Sequence, residues 1–436
     1  MESLFYTFYR LLGWPILRGA FSLLAAWNPK VRAGLAMRSK NGPNGRAPWF
    51  TEPKESRPIW IHCASGEFEY AKPVINLLKK RHPEQKVLVT YFSPSFAKAV
   101  ASFPGVDFAC PLPWDRPTDL QAFLNWHKPL ALLIARTDTW PEMLHQAKRA
   151  GLPTLLFSAT LQKQSGRARG IGKWVSRNVL MNLDRIDCVS EDDFEVFKEL
   201  GLGSRTQVTG DTRYDQVIAR LANPKPLREE LFVGVSREKC LIAGSTWPED
   251  ESVLLAAAVK LKSEPLRLVL VPHEPTDPHL QQLEKEIAAR GLKSVRYSTA
   301  ETWNEDEILI VDKIGILAEL YQKGRFAFVG GSFKKTVHSV MEPLAAGCLT
   351  WVGPKHRNNR EAILFQSIRI GETFSAVMTC ADADSLAREL SSALHSAVDF
   401  TTPIRSEIEK RTGSSQRVVE WIERHVLATP QSALHA

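Results

Sequence analysis

From Pro58 onward the chain repeats one pattern: a short apolar run, a loop marked by glycine or polar residues, then a segment of helical period. The apolar runs cover residues 59–62, 87–91, 130–135, 154–158, 187–190 and 207–209, then 241–243, 266–271, 308–311, 326–329 and 349–352. Helical periodicity falls between them, for example at 71–81, 192–200, 252–261, 279–290 and 314–321. Strands this apolar, alternating with helices, specify parallel sheets covered on both faces. The alternation is interrupted once, by Asn223-Pro224-Lys225-Pro226. A chain of 436 residues is too long for one ordinary core. The pattern therefore predicts an α/β protein of two Rossmann-like domains facing a cleft, at 46–222 and 223–405. A segment at 1–45 precedes them, and 406–436 carries a last helix at 407–425 that can pack back on the first domain. Ligands of such sheets bind at the carboxyl ends of the strands.

One strand end is rich in such features. Residues 326–361 run from Phe326-Ala327-Phe328-Val329 into Gly330-Gly331-Ser332, then His338-Ser339-Val340-Met341-Glu342-Pro343, then a second apolar run ending at Gly353-Pro354. Glycines let a phosphate approach the backbone, a helix N-terminus offers free N–H groups, and Glu342 in a first turn can accept hydrogen bonds from a ribose diol. The alternative is a common Gly-Gly turn and an acid that complements the helix dipole.

Composition narrows the partners. The formal charge of +8 fits an anionic one, whether nucleotide, nucleic acid or membrane surface. The six cysteines form no Cys-x-x-Cys pair, and Cys63, Cys188, Cys240 and Cys348 lie in or beside apolar runs, as buried thiols do. The N-terminal segment is apolar and aromatic, with Phe5, Tyr6, Phe8, Leu11, Trp14, Ile16, Phe21, Leu24 and Trp27. Arg10 and Arg18 interrupt it, Pro15 should kink it, and Lys30, Arg32, Arg38 and Lys40 follow. Two internal arginines oppose a spanning helix. The pattern fits an amphipathic helix on an anionic membrane surface, or one packed on the protein with its arginines reaching out.

Other strand ends carry polar clusters. Glu67 follows Ser65-Gly66, where a carboxylate can be a general base or simply complement a helix dipole. Residues 136–142 read Arg136-Thr137-Asp138-Thr139-Trp140-Pro141-Glu142, a polar cluster or a helix cap. Arg213 is a fixed cation able to meet phosphate or carboxylate. Ser245 and Thr246 can bond an anion or cap the helix that starts at Pro248. His273 is a ligand contact or a loop histidine, and Ile314-Gly315-Ile316 stand where a helix begins. The sequence has no P-loop, no metal-ligand cluster and no Gly-x-Ser-x-Gly elbow.

In order and spacing these motifs resemble the family that transfers 3-deoxy-D-manno-octulosonic acid (Kdo) from CMP-Kdo to lipid A precursors. The resemblance runs through His62…Ser65-Gly66-Glu67, Thr137-x-Thr139-Trp140-Pro141, Gly210…Asp215, Gly244-Ser245-Thr246, Asp312-x-x-Gly315…Glu319-Leu320-Tyr321, Phe328-Val329-Gly330-Gly331-Ser332, His338 to Glu342 and Asn358-x-Arg360-Glu361. It implies a GT-B fold, inversion at the anomeric carbon, no metal or other cofactor, and work at the cytoplasmic face of the bacterial inner membrane. It makes Glu67 the base, places Arg213 and Asp138 beside the reaction, and places CMP at Pro272, His273, Ile314, Gly315, Ile316, Ser339, Val340, Met341 and Glu342, with Ser245 and Ser332. The expected partners are CMP-Kdo, a lipid A precursor and an anionic membrane, not nucleic acid. The chain departs from the family pattern at Arg136, where an acid is usual, and at Trp247, His273-Glu274 and Ser339. Those changes leave open another CMP-linked acidic sugar as donor, or a relative that binds nucleotide without turnover.

Overall fold

The structure, a computed structural model, describes residues 4–39 and 57–428. Lys40 and the rest of the N-terminal segment to residue 45 lie outside these. The chain forms two compact units, Met1–Gln216 with Arg411–Ala436, and Val217–Lys410.

The first unit holds seven parallel strands: β1 (Ile59–Cys63), β2 (Val87–Tyr91), β3 (Phe108–Pro111), β4 (Ala131–Ala135), β5 (Thr154–Ala159), β6 (Arg185–Cys188) and β7 (Thr206–Val208). Their order is β3-β2-β1-β4-β5-β6-β7. The second unit holds β8 (Cys240–Thr246), β9 (Arg267–Pro272), β10 (Lys293–Arg296), β11 (Glu307–Ile310), β12 (Phe326–Val329) and β13 (Leu349–Val352). A small antiparallel pair follows, β14 (Arg369–Ile370) with β15 (Phe374–Ser375), and then β16 (Val377–Thr379). The second large sheet runs β10-β11-β9-β8-β12-β13-β16. Each large sheet reverses its winding beside its first strand, between β1 and β4 and between β8 and β12. Such a reversal opens a crevice at the carboxyl ends of those strands. This is the expected pair of Rossmann-like domains.

Every residue of β1, β2, β4, β5, β12 and β13 is buried. That accounts for their unbroken apolar sequences, since helices cover both faces. In the two large sheets, the strands that the apolar pattern does not reveal, β3, β10 and β16, all lie at sheet edges. An edge strand is paired on one side only and need not be apolar throughout. All six cysteines are buried free thiols.

The helices expected at 71–81 and 252–261 begin earlier, at Phe68 and Pro248, and two others are shortened or broken by glycine. The helix expected at 314–321 begins only at Leu317, because Gly315 adopts φ +89°. The helix expected at 407–425 is two helices, Thr401–Glu409 and Ser414–Ile422, separated by Gly413 at φ +92°. The second closes the first unit, burying Val418, Val419, Trp421 and Ile422 in the core that holds Ile61, Val74, Leu78 and Val89. Asp215 fixes its start: one carboxylate oxygen accepts the Gly413 N–H (2.6 Å) and the other the Ser415 N–H (2.7 Å).

The N-terminal segment is helical from Leu4 to Trp27, with a π-helical stretch at Tyr9–Gly13 just before Pro15. A wider turn there accommodates a proline that has no N–H to donate. Phe5 and Tyr6 are buried against the first unit. Arg10 does not reach outward but turns in to pair with the fully buried Glu142 at 2.6 Å. The other side of the segment exposes Leu4, Phe8, Leu11, Ile16, Leu23, Leu24 and Trp27. Among the described residues no helix is long and apolar enough to cross a membrane.

Replacing Asp215 with alanine leaves two helix-start N–H groups without their acceptor. The expected loss is about 1–3 kcal/mol of stability, read by urea unfolding, with Asp215→Asn intermediate. An unchanged unfolding midpoint in Asp215→Ala would show that the cap is dispensable.

Candidate active site

In the first unit the polar residues gather where β1 and β4 part. His62 on β1 is fully buried. Its Nε2 lies 2.8 Å from Asp138 Oδ2, and its Nδ1 lies 2.9 Å from Thr90 Oγ1, which accepts the Trp60 indole N–H at 2.8 Å. An ionised Asp138 can only accept, so Nε2 carries hydrogen. Burial raises the Asp138 carboxyl, but bonds from His62 and the Trp140 indole (3.0 Å) outweigh it and hold the group below the ordinary carboxylate range. Arg167 clamps the same loop by donating to the Thr137 carbonyl (2.8 Å) and the Thr139 hydroxyl (2.9 Å).

Glu67 stands at the N-cap of the helix Phe68–Arg81, half-buried. Its Oε2 accepts the Ser65 N–H (2.9 Å) and hydroxyl (3.1 Å), and its Oε1 makes no hydrogen bond among the described residues. One oxygen orients the carboxylate while the other stays available, a geometry suited to taking a proton. One turn along the helix, the Tyr70 ring lies 4.5 Å from the Arg213 guanidinium and 5.3 Å from that of Arg136. Arg213 also holds Asp211 at 2.7 Å. Thr212 sets this arrangement: its hydroxyl donates to the Tyr70 carbonyl (2.7 Å), and its N–H donates to Ser158 Oγ (3.1 Å). Sequence reasoning missed Tyr70 and Thr212, whose roles arise from contacts over long separations.

In the second unit the two glycines serve the chain rather than a phosphate. A Cβ on Gly330 would stand 2.3 Å from the Ser245 carbonyl oxygen. Gly331 has φ +91°, and its N–H is taken by Asp250 Oδ2 at 2.7 Å. Asp250 also accepts the N–H groups of Phe333 (3.1 Å) and Trp247 (3.0 Å). Asp250 was legible only as one of three acids after Pro248. Ser332 is fully buried, and its hydroxyl accepts the Gly353 N–H at 2.6 Å, tying this loop to the end of β13. Thr246 is also fully buried, donating its hydroxyl to Glu251 at 2.8 Å. Ser245 is partly exposed at φ +54°.

The remaining expected nucleotide residues lie at the end of β9 or on the segments that follow β9, β11 and β12. Pro272 ends β9, and His273 beyond it is exposed. His273 stacks on His338 with ring centroids 4.3 Å apart, and Trp247 lies 4.9 Å from His273. The Trp247 indole donates to His338 Nε2 at 3.2 Å. Burial, with His273 close by, lowers His338 to about 4, so it is neutral at pH 7. Ser339 is exposed, whereas Val340 and Met341 point into the core. Ile314 is exposed and Ile316 buried around the Gly315 turn. Glu342, in the first turn of the helix Met341–Ala345, pairs with Arg220 at 3.0 Å. Arg220 also reaches Glu319 and the Gly315 carbonyl (both 3.3 Å), and Lys225 donates to that carbonyl at 2.8 Å. Arg220 thus joins the Ile314 turn to Glu342, a link that no local motif announces.

Known proteins resemble the chain in sequence and in fold. Residues 36–216 match the family described as 3-deoxy-D-manno-octulosonic-acid transferase (kdotransferase). The 3-deoxy-D-manno-octulosonic acid transferase of Haemophilus influenzae is 27% identical over 407 residues, 91% of each chain. That of Aquifex aeolicus is 29% identical over 314 residues, 69% of this chain and 79% of its own. That of Bordetella pertussis is 25% identical over 390 residues, 85% of each chain. Over most of its length the chain is thus similar to Kdo transferases. Solved structures add the fold. The UDP-GlcNAc 2-epimerase of Neisseria meningitidis, bound to UDP-GlcNAc, has TM-score 0.57 at 14% identity, covering 85% of this chain and 99% of its own. The UDP-GlcNAc 2-epimerase of Methanocaldococcus jannaschii has TM-score 0.55 at 13% identity, covering 84% of this chain and 99% of its own. The chain thus has a two-domain, GT-B-like fold.

Asp138 makes the stability of this protein depend on acid in a defined way. Its carboxyl is depressed in the folded state, so its contribution is present above the ordinary carboxylate value and lost as pH falls through the lower folded value. Asp138→Asn should be less stable than the parent at pH 7, with the gap closing as pH falls below about 4. Urea unfolding across that range tests this, and a gap independent of pH would refute it.

Proposed function

We propose that this protein transfers Kdo from CMP-Kdo to a lipid A precursor, with inversion at the anomeric carbon and without a metal or other cofactor. The observation that carries the proposal is Glu67, with one oxygen fastened by Ser65 and the other open at the carboxyl end of β1. In the proposed step an acceptor hydroxyl oxygen attacks the anomeric carbon of the donor. The new C–O bond forms as the bond from that carbon to the CMP phosphate oxygen breaks. The hydroxyl proton passes to Glu67 and CMP leaves with the electron pair. Arg213 faces developing negative charge, and Asp138 fixes His62 beneath the site. CMP is assigned to the second unit, with Glu342 on the ribose and the loops of His273, Ile314 and Ser339 around the nucleotide.

The test is incubation of the purified protein with CMP-Kdo and a tetraacylated lipid A precursor, with CMP binding followed by calorimetry. Product is expected from the parent. Glu67→Gln should lower turnover by about 10²–10⁴ while leaving CMP affinity in place. Absence of both product and CMP binding would overturn the reading, and full activity of Glu67→Gln would overturn the base assignment alone.

The proposed site of action is the cytoplasmic face of the bacterial inner membrane. Its support is the exposed apolar side of the N-terminal helices, Leu11, Ile16, Leu23 and Trp27, with Arg18, Lys30 and Arg32 beside it. The protein should co-sediment with vesicles containing anionic lipid, and a Leu23→Ser, Trp27→Ser double variant should lose most of that binding. Equal binding by the double variant would count against this surface.

A second reading, another CMP-linked acidic sugar as donor, is favoured by Arg136, a cation where the family pattern has an acid. Comparing product from CMP-Kdo and from CMP-neuraminic acid separates the two.

A further inference from the structure

We propose that Arg136 and Arg213, gathered at the ring of Tyr70, recognise an oxyanion of the substrate: a sugar carboxylate or a phosphate. This rests on the transfer reaction proposed above and names a specificity element within it. The first argument is electrostatic. Arg136 is half-buried, yet among the described residues its guanidinium makes no hydrogen bond or ion pair, only the contact with Tyr70 at 5.3 Å. The neighbouring acids are engaged elsewhere: Asp138 by His62 and Trp140, and Asp211 by Arg213. A planar guanidinium with its donors available suits an oxyanion, which it can bind through two parallel hydrogen bonds.

The second argument is conformational. Arg136 adopts φ +69°, a region that L residues with side chains rarely occupy. Its N–H donates to the Phe157 carbonyl at 2.9 Å. The next residues are held by Arg167 at Thr137 and Thr139, and by His62 at Asp138. The surroundings therefore enforce a strained backbone at the residue whose side chain has no polar partner among the described residues. Strain kept in this way at a strand's carboxyl end is a mark of function.

The third argument is position. The Tyr70 N–H donates to the Glu67 carbonyl at 3.0 Å, so the ring and its two guanidinium groups lie within one helical turn of the proposed base. An anion held there would orient a substrate toward Glu67.

Calorimetric titration of the full chain with inorganic phosphate, and separately with free Kdo as a sugar carboxylate, tests the proposal without turnover. Binding of at least one probe is expected. Arg136→Leu and Arg136→Gly should each weaken it by about tenfold to a hundredfold, and Arg136→Lys by less. Phosphate alone would name a phosphate as the group read, the sugar acid alone a carboxylate, and both the shared oxyanion chemistry. Arg136→Gly relieves the positive φ, so its thermal midpoint should equal or exceed the parent's, which separates lost binding from lost folding. In the transfer assay the KM of the substrate bearing that anion should rise while CMP affinity holds. Should the parent bind neither probe, or Arg136→Leu and Arg136→Gly bind as the parent does, the proposal falls. Loss of probe binding in these variants with no Kdo transfer by the parent would retain the site and remove the assigned reaction.

Discussion

Backbone N–H groups donated to buried or half-buried carboxylates hold the working parts of this protein in place. A loop at the end of a parallel strand leaves the sheet's hydrogen-bond ladder, and its amides must find other acceptors. Asp250 accepts three such groups and fixes the Gly330-Gly331 loop beside β8. Asp215 accepts two at the start of the closing helix, and Asp115 accepts those of Glu142 and Met143. These carboxylates turn irregular loops into fixed platforms, so exposed groups such as His273 and Ser339 need no regular element of their own.

The parallel sheets and their interior strands were legible because burial on both faces forces an unbroken apolar run. Three of the four edge strands were not, because β3, β10 and β16 are free of that demand. In the site, the sequence pointed to the correct strand ends but not to what each group does there. Gly331 reads as a phosphate-binding turn, yet its N–H belongs to Asp250. Glu342 was legible, while Arg220, 122 residues away in sequence, was not. Tyr70 looks like an ordinary helix residue until Arg136 and Arg213 converge on its ring. Local periodicity reports burial; it carries no information on which distant side chains meet.

The N-terminal segment illustrates how one helix can satisfy two opposed requirements. Phe5, Tyr6 and Arg10 anchor one side, and Arg10 gives the fully buried Glu142 carboxylate a cation. That anchoring lets the opposite side carry exposed leucines and Trp27 without detaching the segment from the unit.

The helix Ser414–Ile422 belongs to the first unit's core but lies after the whole of the second unit in sequence. During synthesis from the N-terminus, the first sheet is therefore made long before the side chains that seal it. Until Val418, Val419, Trp421 and Ile422 emerge, the helix Phe68–Arg81 keeps part of its apolar face uncovered. The first unit is thus the first to be translated and the last to be completed, and a chain that stops before residue 411 presents an aggregation-prone surface.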